Sequence, residues 1–122
     1  MKRLFLAAVL AASALLNAHA QTFGEGMATP SAEELKTILA GNIFTVDRPD
    51  GNHWRLEFKS NGYYFANTTS GFADSGEWTV ESGKFCVQAK KGTSGCNEAR
   101  LDKGVLTMKR PNGEIIIYKR KE

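Results

Sequence analysis

The chain has 122 residues, of which 42% are hydrophobic, 24% charged and 10% aromatic, with a formal charge of +3. That is enough for one small domain and leaves no room for a second core. The balance excludes collagen, coiled coil, low complexity and wholesale disorder, and it names no activity.

Residues 1–20 read MKRLFLAAVLAASALLNAHA. Lys2 and Arg3 are a basic start, Leu4 to Leu16 is an apolar run broken only by Ser13, and Ala18 and Ala20 flank His19 ahead of a cut before Gln21. This is the grammar of a cleaved signal peptide. The run is too short for the roughly 20 residues that span a bilayer, and no later stretch is long enough. The style of the segment suits a Gram-negative bacterium, so the expected location is the periplasm or beyond. Cleavage removes two cations and no anion, leaving fourteen against thirteen, a balance of +1. Nucleic-acid binding, which needs many phosphate-neutralising cations, is therefore not expected. His53 becomes the only mature histidine.

Residues 21–30 are aperiodic and contain glycine, and read as a flexible leader to a single domain over 31–122. Ser31 and Glu34 then have the spacing of a capping box, with Leu35, Ile38 and Leu39 on one face and Gly41 at the exit. A helix of about nine residues cannot stand alone and must dock.

After Gly41 the period changes to two. HWRLEFK puts Trp54, Leu56 and Phe58 on one side and His53, Arg55, Glu57 and Lys59 on the other, which marks a strand with one buried face. The same pattern predicts eight short strands, at 42–46, 53–59, 63–68, 77–81, 84–90, 96–101, 105–110 and 114–120. Gly, Asn and Asp punctuate them at 49–52, 61–62, 82–83, 102–104 and 111–113, with longer loops at 70–76 and 91–95. Connections this short cannot make parallel crossovers. The prediction is an all-β antiparallel up-and-down meander that closes into a squat barrel or curls into an open half-barrel, with the helix at one end. Trp54, Leu56, Phe58, Tyr63 and Phe65, and then Trp78, Val80, Phe85 and Val87, are expected to fill the narrow interior.

Cys86 and Cys96 are the only cysteines. An even pair in an exported chain predicts a disulfide. The spacing is not C-x-x-C, and two Cys with one distant His make a poor zinc site. If the two cysteines face each other across a hairpin, Lys84 lies opposite Glu98 on the same outer face, while Phe85 and Asn97 face inward.

Chemistry-bearing constellations are thin. His53 sits in the polar phase of its strand without a nucleophile or an orienting carboxylate that the sequence can place. Asp47, Asp50, Glu57, Asp74, Glu77, Glu81, Glu98, Asp102 and Glu114 are scattered, and a paired-carboxylate hydrolase is only a third choice. No nucleophile elbow, P-loop or dinucleotide fingerprint is present. Residues 47–52 hold several oxygen ligands but lack the spacing of a calcium loop and read as a hairpin turn; no metal and no cofactor is expected. Tyr64 must point away from Tyr63 and Phe65, to cover another layer or join a contact patch. Ile115, Ile116, Ile117 and Tyr118 are apolar on both faces and imply cover by the helix or a partner. Lys109 and Arg110 with Lys119, Arg120 and Lys121 read as one basic corner.

The segments E-L-K-x-x-L-x-G-N (34–42), D-G-x-x-W (50–54), S-N-G-Y-Y-F, S-G-E-W-T-V (75–80) and G-K-F-C with a partner Cys resemble small uncharacterised secreted proteins of Gram-negative bacteria. The resemblance implies a lipocalin-like or related small β-barrel and no assigned activity. The N-terminal G-x-W of typical lipocalins is replaced by Gly41-Asn42-Ile43-Phe44. Two functions from different classes follow. The first is a non-enzymatic accessory module of the cell envelope with a filled core, in contact with an envelope protein. The second is a carrier of a small apolar ligand held among Trp54, Tyr63, Phe65 and Trp78. A carrier requires an open pocket of several hundred Å3.

Overall fold

The computed structural model describes residues 22–122. The export segment expected at 1–20 lies outside the described residues. One helix, α1 (Ala32–Leu39), precedes eight strands: β1 (Asn42–Asp47), β2 (His53–Phe58), β3 (Tyr63–Thr68), β4 (Ala73–Glu81), β5 (Lys84–Ala89), β6 (Gly95–Asp102), β7 (Val105–Lys109) and β8 (Ile115–Arg120). Every strand pairs antiparallel with the next, and β8 returns to β1, so the meander is a closed barrel. The closing seam is thin, with Phe44 opposite Arg120 and Thr45 opposite Lys119. Closure pairs both outer strands and leaves the sheet without a free edge.

The helix starts as its capping box requires: Ser31 Oγ accepts from Glu34 N at 3.1 Å, and Glu34 Oε1 accepts from Ser31 N at 3.0 Å. It lies against β4 and β1. Leu35 and Leu39 are both 0% exposed and join the core. Asn42 Nδ2 donates to Ile38 O at 2.8 Å and fixes the exit into β1. The ends of β2, β4 and β6 and the starts of β3, β5 and β7 lie at this helix-covered end. The turns at 48–52, 69–72, 90–94 and 110–114 gather at the other.

The core is a lattice of rings around Phe58. Its centroid lies 5.5 Å from Phe85, 5.7 Å from Trp78, 6.0 Å from Phe44, 6.3 Å from Tyr118 and 6.4 Å from Tyr64. Aromatic pairs at such distances contribute about 0.5–1.5 kcal/mol each beyond their area burial.

The expected inner face needs one correction. Tyr63 and Phe65 point outward, 48% and 42% exposed, and Tyr64 is the residue of β3 that enters the core. The turn decides this. Lys59 N donates to Tyr63 O and Gly62 N to Lys59 O, so the hairpin loop is three residues, 60–62, with Gly62 at φ 97°. Phe58 therefore faces Tyr64. Across the next pairing Tyr64 faces Gly76, and a Cβ at Gly76 would collide with Gln88 O and the Tyr64 ring. The longer loop expected at 70–76 is also shorter than read: β4 begins at Ala73 and carries Gly76 inside it.

Two further differences concern the termini. The leader is bonded to the barrel. Ala28 and Leu101 exchange both backbone hydrogen bonds at 2.8 Å, and Gly83 N donates to Pro30 O. The cause is a mismatch of lengths. β6 runs past the start of β5, and Ala28 takes up the backbone groups of Leu101 that β5 does not reach. The basic corner is split, because β7 and β8 are antiparallel. Lys109 and Arg110 lie at the loop end and Arg120 and Lys121 at the helix end, while Lys119 pairs with Asp47 at 2.9 Å. Ile117 is 50% exposed, so the helix does not provide the cover expected for its face.

The disulfide joins Cys86 and Cys96 directly across β5 and β6, with Lys84 opposite Glu98 and Phe85 opposite Asn97 as the pairing arithmetic requires. Asn97 is buried inside the barrel, whereas Cys86 is half-buried and Cys96 exposed.

Candidate functional site: the mouth of the barrel

The helix and its leucines close one end, and the other is hollow. A cavity of about 420 Å3 opens between the four turns at the loop end. An eight-stranded barrel has an interior just wide enough to be filled by side chains or to hold one small ligand, and in this barrel one end is filled and the other is hollow. Small side chains make the room: Ala66 of β3 and Ala89 of β5 line the cavity where larger residues would fill it. Its floor is aromatic, formed by Phe58, Tyr64, Phe85 and Tyr118; Trp54 and Phe72 stand in its upper wall.

Three side chains hold the turns to one another. Asn52 Oδ1 accepts from Thr69 Oγ1 at 2.7 Å and from Ser70 N at 3.3 Å, joining 48–52 to 69–72. The Asp74 carboxylate accepts from Ser75 N and Lys91 N at 2.8 and 2.9 Å and from Gly92 N at 2.8 Å, joining β4 to 90–94. Glu114 lies between two guanidinium groups, Arg110 Nη1 at 2.7 Å and Arg48 Nη1 at 2.6 Å, joining 110–114 to 48–52. The Arg110 contact is a hydrogen bond. Both guanidinium groups also rest on the Trp54 ring, with Cζ 4.8 Å (Arg48) and 5.0 Å (Arg110) from its centroid. The turns are therefore tied to one another through their own side chains, which preorganises the mouth.

Electrostatics follow from these contacts. Desolvation pushes the Asp74 carboxyl up, but the three backbone donors and Lys91 outweigh it and hold the group below the usual range. Glu114 behaves likewise: burial raises it, and Arg48 and Arg110 more than compensate. Burial pushes both cavity phenols up, Tyr118 most, with Arg110 opposing and Tyr64 adding; Asp74 adds at Tyr64. Both phenols stay protonated at neutral pH, and both can donate.

Of the four residues expected to hold a ligand, Trp54 alone lines this cavity. Trp78 is buried toward the closed end, its Nε1 donating to Lys59 O at 3.0 Å. Tyr63 and Phe65 stand outside the barrel. His53 is exposed, with Nδ1 2.8 Å from Asp47 Oδ1. Glu57 pairs with Arg55 and Lys59 on the outer face, and Glu77 is exposed on the same surface. Glu81 lies beside the disulfide, whose bonded sulfurs are not thiolate ligands for a metal. The residues that sequence reasoning did not connect are Arg48, Arg110, Asp74 and Glu114. Arg48 and Arg110 each precede a proline-containing turn, and no local pattern joins two such turns 62 positions apart.

No family model matches the chain, and no curated protein or solved structure matches it. Among the described residues no helix is long and apolar enough to cross a membrane, and the disulfide is compatible with an extracellular or periplasmic protein.

Proposed function

We propose that the mature domain is an exported, non-enzymatic, lipocalin-like binding protein whose barrel mouth takes up one small, largely apolar molecule in the periplasm. The observation that carries this reading is the hollow end: about 420 Å3 of open space with an aromatic floor, under turns already cross-tied. That volume falls in the range of small-molecule sites, which are mostly apolar with a few placed polar groups. A module acting only through its surface has no use for an unfilled interior, since each missing side chain forfeits packing energy. The test is tryptophan fluorescence during titration with the neutral apolar dye phenylnaphthylamine. Saturable quenching that disappears in Trp54→Phe is expected. Absence of any saturable change in the wild-type protein would defeat the reading.

A second reading, contact with an envelope protein, is favoured by the outward Tyr63 and Phe65. They form an aromatic stripe on β3, flanked by Arg55, Lys90 and Lys91. Tyr63→Ser/Phe65→Ser separates the two readings: dye binding is retained if the mouth is the site, and a lost pull-down partner points to the stripe.

A further inference from the structure

A cluster of two cations and one anion, Arg48, Arg110 and Glu114, stands at the mouth of the apolar cavity with one positive charge in excess. Lys90 and Lys91 face the outer groove beside Arg55 and Phe65. Two further carboxylates, Asp50 and Asp74, belong to the mouth, and Asp74 lines the cavity. The anions are already engaged. Asp50 accepts from Asn52 N at 2.9 Å, Asp74 is taken up by three backbone N–H groups, and Glu114 serves two guanidinium groups at once. Arg110 itself lines the cavity and rests on Trp54, so its charge borders the space a ligand would fill. Asp47, the nearby carboxylate of β1, is held by His53 and Lys119 on the outer face. A part-buried guanidinium beside apolar surface is a ready partner for a counter-ion brought with the ligand.

We infer that the cavity selects small organic monoanions, with the apolar body on the rings of Phe58, Phe85 and Tyr64 and the acidic head at Arg110. This inference rests on the small-molecule reading above. The head would meet a guanidinium already fixed by Glu114 and Trp54, and Tyr118, which lines the same cavity, is a candidate further donor. Glu114 sets the strength of the site, because it claims part of the charge that the ligand would otherwise meet.

Two dyes with the same body separate the claims: anilinonaphthalene sulfonate, an anion, and phenylnaphthylamine, its neutral parent. Both are titrated by fluorescence into the wild-type domain, Arg110→Gln, Arg110→Lys and Glu114→Gln. The sulfonate is expected to bind roughly tenfold or more tightly than the parent, the range of one hydrogen bond to a charged partner. Arg110→Gln should abolish that preference, so that the two dyes bind the variant alike, with its far-ultraviolet circular dichroism showing that it is folded. Arg110→Lys should restore part of it. Glu114→Gln should tighten the sulfonate several-fold, and added salt should weaken the sulfonate alone. Equal affinities for the two dyes, or a preference that survives Arg110→Gln, would overturn the inference and leave the cavity reading standing. Failure of both dyes to bind would remove the cavity reading and this inference together.

Discussion

The two ends of this barrel are made from the same strands and behave differently. At the helix end the interior is saturated: Leu35, Leu39, Trp78 and Ala99 are buried there and the leader seals the side. At the loop end the interior is open, and the side chains that could fill it are short (Ala66, Ala89) or reach outward to one another (Arg48, Arg110, Glu114). One end holds the fold by packing, and the other holds a shape by polar ties between turns. Stability and the proposed binding site are thus placed at opposite poles of one small core.

The largest effect should come from the ring that both ends share. Phe58→Ala removes a side chain in contact with five other rings and should cost about 3–5 kcal/mol, read as a lower urea midpoint at unchanged slope. The same substitution placed at each pole then sharpens the contrast. Ala99→Leu at the closed end should destabilise by about 1–3 kcal/mol through overpacking. Ala66→Leu at the open end should change stability by less than about 1 kcal/mol and instead weaken dye binding. Equal stability losses at both sites would show that the cavity is not open in solution.

The disulfide closes the hairpin that carries the 90–94 turn of the mouth. Replacing both cysteines by serine should cost about 2–3 kcal/mol in the chain-entropy view, measurable as a lower Tm, with the helix end retaining its packing. Ser31→Ala removes the cap of α1 and should cost about 1 kcal/mol without touching dye affinity. The smallest effect concerns pH. Glu114 has its folded pKa lowered below the ordinary 4.5, so the unfolded chain holds that proton to higher pH than the folded one. Its contribution is present above the ordinary value and is lost as pH falls through the lowered one. Stability of the wild type should therefore fall more steeply than that of Glu114→Gln below about pH 4.5, and parallel curves would count against the Arg48–Glu114–Arg110 cluster.

Much of the fold was legible because it is local. The capping box at Ser31 and Glu34 forms as its spacing demands. Seven of the eight strands fall within a residue of where alternation and turn residues place them, β4 beginning four residues earlier than read, and the cysteine pair sets the β5–β6 register by simple counting. The candidate site was legible only at Trp54. The phase of β3 shows why. A two-residue Asn61-Gly62 turn and a three-residue Ser60-Asn61-Gly62 turn differ by one position, and one position exchanges the faces of every residue that follows. With aromatics at 63, 64 and 65, hydrophobicity could not choose between Tyr64 and its neighbours. Gly76, which admits the Tyr64 ring, was the distant signal.

Alternation, capping and hairpin turns are interactions between residues a few positions apart, and for them the chain order is sufficient: it dictated an antiparallel meander with one docked helix and a stapled hairpin, and left closed barrel and open half-barrel both possible. Which end is packed and which is hollow, and that Arg48, Arg110 and Glu114 meet over Trp54, depend on contacts between turns far apart in the chain. Only closure of the barrel brings those turns together, and the three-dimensional structure alone decided them.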